Sequence, residues 1–380
     1  MAAYDAIILG TGGVGSAAAY HLARRGAKVV GIDRFSAGHD RGSSHGETRI
    51  IRQAYFEHPD YVPLLLRAYE LWRELEQVSG VELLKQVGLL QIGPPSGAVI
   101  RGVLASAQQH GLPVEQLAAD EITRRWPGFR VPGGMSGVFE SAAGYLRVER
   151  CVLAHLAAAQ ACGAEFRFGS AVCARRAVGS VVEVETETGE KHQAAKLIVA
   201  AGPWAPALLA DLRIQLQPRR KHVYWFPTGD HSYHQDRGCP TFLYELPHGI
   251  FYGFPQIDDL GVKVAEHSGG QAVFDPLNDP RELDPADLGR VEAFLSAHLP
   301  AVGRPMQRHS VCFYTMSPDE HFIVDRDPAN PNMLFAAGLS GHGFKFTSVL
   351  GEALADLALD GATNLPIEFL RLDRLRCPKP

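Results

Sequence analysis

Apolar residues open the chain as a short unbroken run, Ala6-Ile7-Ile8-Leu9, which stops at a glycine turn, Gly10-Thr11-Gly12-Gly13-Val14-Gly15. A run with no polar alternation predicts a strand covered on both faces. Helical spacing follows through His21-Leu22-Ala23, and Lys28 to Asp33 predicts a second buried strand, ending on an acid 18 residues after Gly15. Together these make a complete βαβ unit. From Asp60 to Glu76, Leu64, Leu65, Ala68, Leu71, Trp72 and Leu75 recur at helical spacing with Pro63 near the first turn, predicting a packing helix. Between about 82 and 145, short apolar runs alternate with Gly and Pro and predict strands of a separate sheet. A helix is predicted over 149–161, a half-buried alternating strand over Val181–Thr186, a turn at Gly189, and an apolar strand from Leu197 to Gly202. Residues from about 215 to 305 again predict strands and loops, and a strand (Met333–Ala337), a glycine-rich turn and a helix (Val349–Leu357) close the chain. The predicted class is α/β: a Rossmann-like domain over 1–80, 146–215 and 306–380, interleaved with an α+β domain over 81–145 and 216–305 on a mostly antiparallel sheet.

The first turn has the chemistry of a dinucleotide site. Its glycines permit a tight turn, close approach of backbone to a pyrophosphate, and close packing of helix on strand, while the helix N-terminus offers N–H groups to phosphate. Asp33 is placed to accept hydrogen bonds from a ribose. At 380 residues with 46% hydrophobic content the chain can bury a large core, and a net charge of −5 leaves no electrostatic footprint for nucleic acid or an anionic membrane surface. The 39 glycines and 25 prolines fit many turns and close backbone approaches. The six cysteines, Cys151, Cys162, Cys173, Cys239, Cys312 and Cys377, show neither a CxxC pair nor a dense framework. No apolar run reaches the roughly 18 residues of a membrane helix, and the MAAYDAIILG start lacks a signal peptide's basic flank, so a soluble cytoplasmic protein is expected.

Three further segments could carry chemistry. In Gly42-Ser43-Ser44-His45-Gly46-Glu47-Thr48-Arg49-Ile50-Ile51-Arg52, two arginines three apart would share a face if the segment were helical, and could clamp an anion. Strand alternation over Gly261–His267 puts Lys263 and His267 on one side, and Ile250–Phe254 could pair alongside, bringing Tyr252 near. The run Gly338-Leu339-Ser340-Gly341-His342-Gly343-Phe344-Lys345 between a strand and a helix is a second phosphate-binding or ring-binding geometry, with a lysine available as a point charge. His231 and His234 with Cys239 are the one cluster with a metal-ligand look, but they fall in a polar loop with no fourth ligand, and no metal is expected.

Taken in order, GTGGVGSAAAYHLARRG, SSHGETRIIRQAY, Tyr252-Gly253-Phe254-Pro255, Lys263, Cys312 and LSGHGFKF resemble the monomeric sarcosine oxidase and N-methyltryptophan oxidase family nearly end to end. The resemblance implies FAD, held covalently through Cys312. It implies that Lys263 promotes the reaction of reduced flavin with O2 and that Arg52 and Lys345 hold a substrate carboxylate. Buried cations without partners would be costly, so an anionic substrate is expected to supply the missing charge. Arg49 matches a basic residue near the flavin, and Tyr252, His267 and Tyr314 match groups lining the substrate cavity. The cofactor contacts implied are Gly10, Gly12, Gly15, Asp33, Ser43, Ser44, His45, Thr48, Arg49, Val172, Gly202, Cys312, Gly338, Gly341, His342, Gly343 and Lys345. Leu243 departs from the family's sarcosine enzymes, which carry methionine beside the substrate. The expected activity is oxidation of an N-methyl amino acid to the primary amino acid, formaldehyde and H2O2 by a monomer. The alternative is a flavin-dependent dehydrogenase of cyclic or other secondary amino acids with a non-oxygen acceptor.

Overall fold

The computed structural model describes residues 4–375, which leaves Cys377 outside it. The opening apolar run is the central strand, Tyr4–Leu9, of an eight-stranded sheet, parallel to Val29–Ile32 on one side and to Lys191–Val199 on the other. Its side chains divide as a strand buried on both faces requires. Ala6 and Ile8 enter one core and Ile7 and Leu9 another, and all are 2% exposed or less. Helices Gly13–Ala23, Val62–Ser79, Val148–Ala161 and Thr347–Leu359 cover the first of these faces. Asn330–Ala337 adds a parallel strand beside Lys191–Val199, so two strands of this sheet end at glycine-rich turns, and Ile323–Asp327 pairs on its outer side.

A second sheet has nine strands and a separate core. Within it Gly249–Phe254 lies antiparallel to Val262–Glu266, with Phe254 opposite Lys263 and Tyr252 opposite Ala265. Gln217–Phe226 pairs along its length with Arg308–Met316, placing Lys221 opposite Cys312. One pairing, Thr241–Leu246 with Leu89–Gly93, is parallel, and the other pairings in this sheet are antiparallel. A small three-stranded sheet, Thr48–Ile51, Gly144–Arg147 and Leu84–Gln86, stands apart from both.

Three local expectations need correction. The strand-rich reading of 82–145 missed helices Ala98–His110 and Ala119–Arg125: in the first, Val99, Ile100, Val103 and Ala107 are buried at one-turn spacing, and the exposed positions include Arg101, Gln108 and Gln109. Likewise 215–305 contains the helix Pro285–His298, started by Asp284, whose side chain accepts from the N–H of Ala286 and Asp287. The segment carrying Arg49 is a strand, Thr48–Ile51, and Arg52 follows its end. The helical premise for the arginine pair is therefore wrong, although both side chains reach the cavity described next.

Candidate active site

One long cavity joins the two glycine turns to the second sheet. At its nucleotide end the turn closes because Gly15 has no side chain: a Cβ there would stand 1.8 Å from the carbonyl oxygen of Gly10. The Gly13 N–H donates to Ser44 Oγ at 3.1 Å, tying the helix start to the 42–52 segment. Asp33 Oδ2 accepts from the Thr11 backbone at 2.7 Å and its hydroxyl at 3.0 Å, and Oδ1 accepts from Phe35 N–H at 2.9 Å. Burial opposes ionisation of Asp33, but His39 and the N–H groups of Thr11 and Phe35 outweigh it and hold the carboxyl below its ordinary value. The result is an ionised acceptor beside the glycines, Gly10, Gly12 and Gly13, that line the cavity.

Of the residues expected to contact the cofactor, Gly10, Gly12, Asp33, Ser43, Ser44, Arg49, Val172, Gly202, Gly338, Gly341, His342, Gly343 and Lys345 line this cavity. Gly15, His45, Thr48 and Cys312 lie behind its walls. His45 is buried with its ring on the Gly42 carbonyl, and burial, aided by Arg49, pushes it down to about 3. Cys312 is 1% exposed, and the next residues of its strand, Phe313, Tyr314 and Thr315, form the wall. The Phe313 carbonyl accepts from Ser43 Oγ at 2.6 Å. Gly341, at φ +83°, passes against the Tyr314 ring, where a Cβ would lie 2.3 Å from the ring carbon Cδ2.

Leu243, Tyr252, His267 and Tyr314 line the other end together with Arg52 and Lys345. His267 Nδ1 is 3.3 Å from the Tyr314 hydroxyl. Burial, with Lys221 adding repulsion, pushes His267 down to about 3, so a neutral imidazole faces the cavity at working pH. Burial and then Arg52 push the Lys345 ammonium well below the ordinary lysine value, while Glu57 opposes this, and its Nζ donates to the His342 carbonyl at 2.7 Å. Lys263 is not in the cavity wall. It stands just behind, donating to the carbonyls of Gly46 and Thr48 and to Thr48 Oγ1.

Arg52 is not the unpartnered cation expected. Its Nη2 donates to both carboxylate oxygens of Glu57, and its guanidinium stacks 4.5 Å from the ring centres of Tyr55 and Phe56. Burial alone would raise Glu57, but Arg52, His342 and Lys345 bring it down to about 2. Glu57 also lines the cavity and went unread, although it lies only five residues beyond Arg52. Glu140 was missed as well, and nothing in the sequence near it signals its role. Its carboxyl accepts from the N–H of Gln53 at 2.6 Å and Ala54 at 3.1 Å, fixing the chain beyond Arg52. No group of three or more His, Cys, Asp and Glu that could hold a metal occurs among the described residues.

A glycine turn between parallel strands of a mixed sheet, an acid at the second strand and a cavity running on to a polar, cationic chamber define a dinucleotide-dependent redox protein. The chain belongs to the FAD dependent oxidoreductase family, whose pattern matches residues 5–357. A monomeric sarcosine oxidase from a Bacillus species is 40% identical over 375 residues, 98% of this chain and 96% of that one. An N-methyl-L-tryptophan oxidase from Citrobacter koseri is also 40% identical, over 373 residues, 98% of this chain and 99% of that one. Among solved structures, NikD, an unusual amino acid oxidase essential for nikkomycin biosynthesis, superposes with TM-score 0.86 at 25% identity and 98% coverage of both chains. An L-proline dehydrogenase from P. horikoshii shares the fold, with TM-score 0.85 at 22% identity, over 99% of this chain and 98% of that one. Among the described residues no helix is long and apolar enough to cross a membrane.

Proposed function

We propose that this protein is an FAD-dependent oxidase of N-methyl amino acids. The observation that carries the reading is the meeting, in one cavity continuous with the nucleotide turn, of two buried cations, Arg52 and Lys345, with the uncharged groups Tyr252, His267 and Tyr314. The cations suit a substrate carboxylate, and the neutral groups suit a secondary amine bound without its proton. The flavin, when bound, supplies the hydride acceptor and returns the electrons to O2 as H2O2. Arg52 and Lys345 fix the carboxylate and so orient the N-methyl carbon, while Tyr252, Tyr314 and His267 exchange hydrogen bonds with the amine nitrogen. Hydrolysis of the resulting imine gives formaldehyde and the primary amino acid. Because Glu57 now engages Arg52, a substrate carboxylate must displace it or share the guanidinium, and this competition sets part of the binding free energy.

Lys263 is assigned to the oxygen step, where a cation stabilises developing superoxide in a water-poor site. Cys312 is assigned the covalent link; the cations Arg49, Lys221, Lys263 and Arg281 all lie within electrostatic reach of its sulfur. The two-domain division is supported by the separate cores of the two large sheets, with Arg308–Met316 crossing to the second. The enzyme is taken to act as a cytoplasmic monomer.

Peroxide release with sarcosine and with N-methyl-L-tryptophan, compared as kcat/KM, tests the proposal. A tenfold preference, about 1.4 kcal/mol at the transition state, assigns the cavity size. Anaerobic flavin bleaching without peroxide in air would instead make the protein a dehydrogenase, and no bleaching with any secondary amino acid would overturn the reading. For the link, acid-precipitated wild type should stay yellow, and Cys312→Ser should release its colour to the supernatant.

A further inference from the structure

Lys263 is buried between the rings of Trp225 and Phe254, 5.3 and 4.7 Å from their centres. Its Nζ has three acceptors: the Gly46 carbonyl, the Thr48 carbonyl at 2.8 Å and the Thr48 hydroxyl at 3.1 Å. Three acceptors match the three protons of an ammonium, whereas a neutral amine would turn its lone pair toward one of them. The geometry is therefore built for the charged form, in a place where charge is expensive.

The residue between the two that supply carbonyl acceptors to this cage is Glu47, and its backbone is left-handed, at φ +73°. That conformation is uncommon for a residue other than glycine, and here it turns both flanking carbonyls onto one point. The turn is held from outside. Glu149 accepts from Gly46 N–H at 2.6 Å and from Glu47 N–H, and Val148 N–H donates to the Glu47 carbonyl at 2.9 Å. The Glu47 side chain accepts from the Trp225 indole N–H at 2.8 Å, under the ring that flanks Lys263.

The charges around Lys263 divide by sign. Burial, and after it Arg49, push the ammonium well below the ordinary lysine value, and Glu47, Cys312 and Glu149 oppose this, Glu47 foremost. Glu47 in turn faces Trp225, Asp258 and Lys263: burial and the Asp258 carboxylate raise its carboxyl, and the indole and the lysine oppose that. Glu47 is half-buried and outside the cavity wall, so it touches neither substrate nor the cofactor space.

We propose that Glu47 is a positioning residue for Lys263, its left-handed turn aiming two carbonyls at the ammonium and its carboxylate supplying the counter-charge. This deepens the proposed function and rests on the assignment of Lys263 to the oxygen step. It predicts control over reaction with O2 without control over substrate oxidation.

The test uses the holoenzyme and two variants. Glu47→Gln keeps the acceptor for Trp225 and removes the charge; Glu47→Gly keeps the turn without strain and guards against a folding artefact. In both, stopped-flow reoxidation by O2 should slow about tenfold near neutral pH, the effect of moving the lysine's titration down by about one pH unit. Anaerobic reduction by substrate should stay within about twofold, inside the scatter of a residue that makes no substrate contact. A readout without turnover is the pH titration of the resting flavin absorbance. The midpoint absent from Lys263→Met should shift downward in both Glu47 variants. Unchanged midpoint and reoxidation in Glu47→Gln, with both disturbed in Lys263→Met, would overturn this inference alone. Normal reoxidation in Lys263→Met would overturn the lysine's assignment and the inference with it.

Discussion

The two ends of the cavity solve the problem of burying charge in opposite ways. At the nucleotide end the positive field comes from backbone N–H groups at the start of the Gly13–Ala23 helix, and the one ionised acid there, Asp33, is itself held by neighbouring N–H groups. At the reactive end it comes from side chains drawn from several segments, with Arg52, Lys345 and Lys263 each 5% exposed or less. Backbone dipoles carry little desolvation cost and tolerate no change of shape. Buried side-chain charges cost much and depend on particular partners. Damage at the first end should therefore be steric and global, and at the second electrostatic and local.

Gly15→Ala gives the largest expected effect. Its Cβ would meet the Gly10 carbonyl at 1.8 Å, and the loss, about 4 kcal/mol or more, should leave little folded, flavin-containing protein in thermal melts and absorbance spectra. A near-normal melt would mean the turn can relax and would erase the contrast. Next comes Glu57→Gln, about 3 kcal/mol less stable because Arg52 keeps its charge without a counter-ion, yet binding substrate carboxylate more tightly. Here the pH dependence has a definite sign: the Glu57 carboxyl is held down at about 2 against an ordinary 4.5, so the stabilisation is present above 4.5 and fades as pH falls toward 2. The gap in Tm between wild type and Glu57→Gln should close over that window, and a constant gap would refute the pairing.

Lys345→Met should separate function from stability. With Lys345 pushed well below the ordinary lysine value by burial and by Arg52, removing its charge should raise Tm. Loss of a charged contact worth about 2.7 kcal/mol should lower kcat/KM about a hundredfold. The smallest effect on activity is expected at Glu140, which lies outside the cavity wall and which burial pushes up to about 7 against the N–H groups of Gln53 and Ala54 and the charge of Arg52. A raised carboxyl binds its proton more tightly in the fold, so this contribution is present below the ordinary 4.5 and is lost as pH rises toward 7. Glu140→Gln should flatten the Tm profile across that interval by the equivalent of up to about 3 kcal/mol, and an unchanged slope would locate the titration elsewhere.

What the sequence determined alone was whatever depends on neighbours along the chain. The buried strand Tyr4–Leu9, the glycine turn, the helix after it and Asp33 follow from unbroken apolar runs and from the sterics of glycine, which act within a few residues. The pairing of Ile250–Phe254 with the Lys263 strand, which brings Tyr252 near, was legible for the same reason, and its register was not. The helix Ala98–His110 was not, because apolar runs broken by glycine and proline fit either element until a core selects one face. Tertiary structure alone decided the charges: Lys263 takes its acceptors from residues 215 and 217 positions away, and His267 is neutral because of what surrounds it. Even Glu57, close to Arg52 in sequence, became its counter-ion only because both side chains left water together. Desolvation and Coulomb interactions depend on distance in space and on exclusion of water, and neither is written in the order of residues.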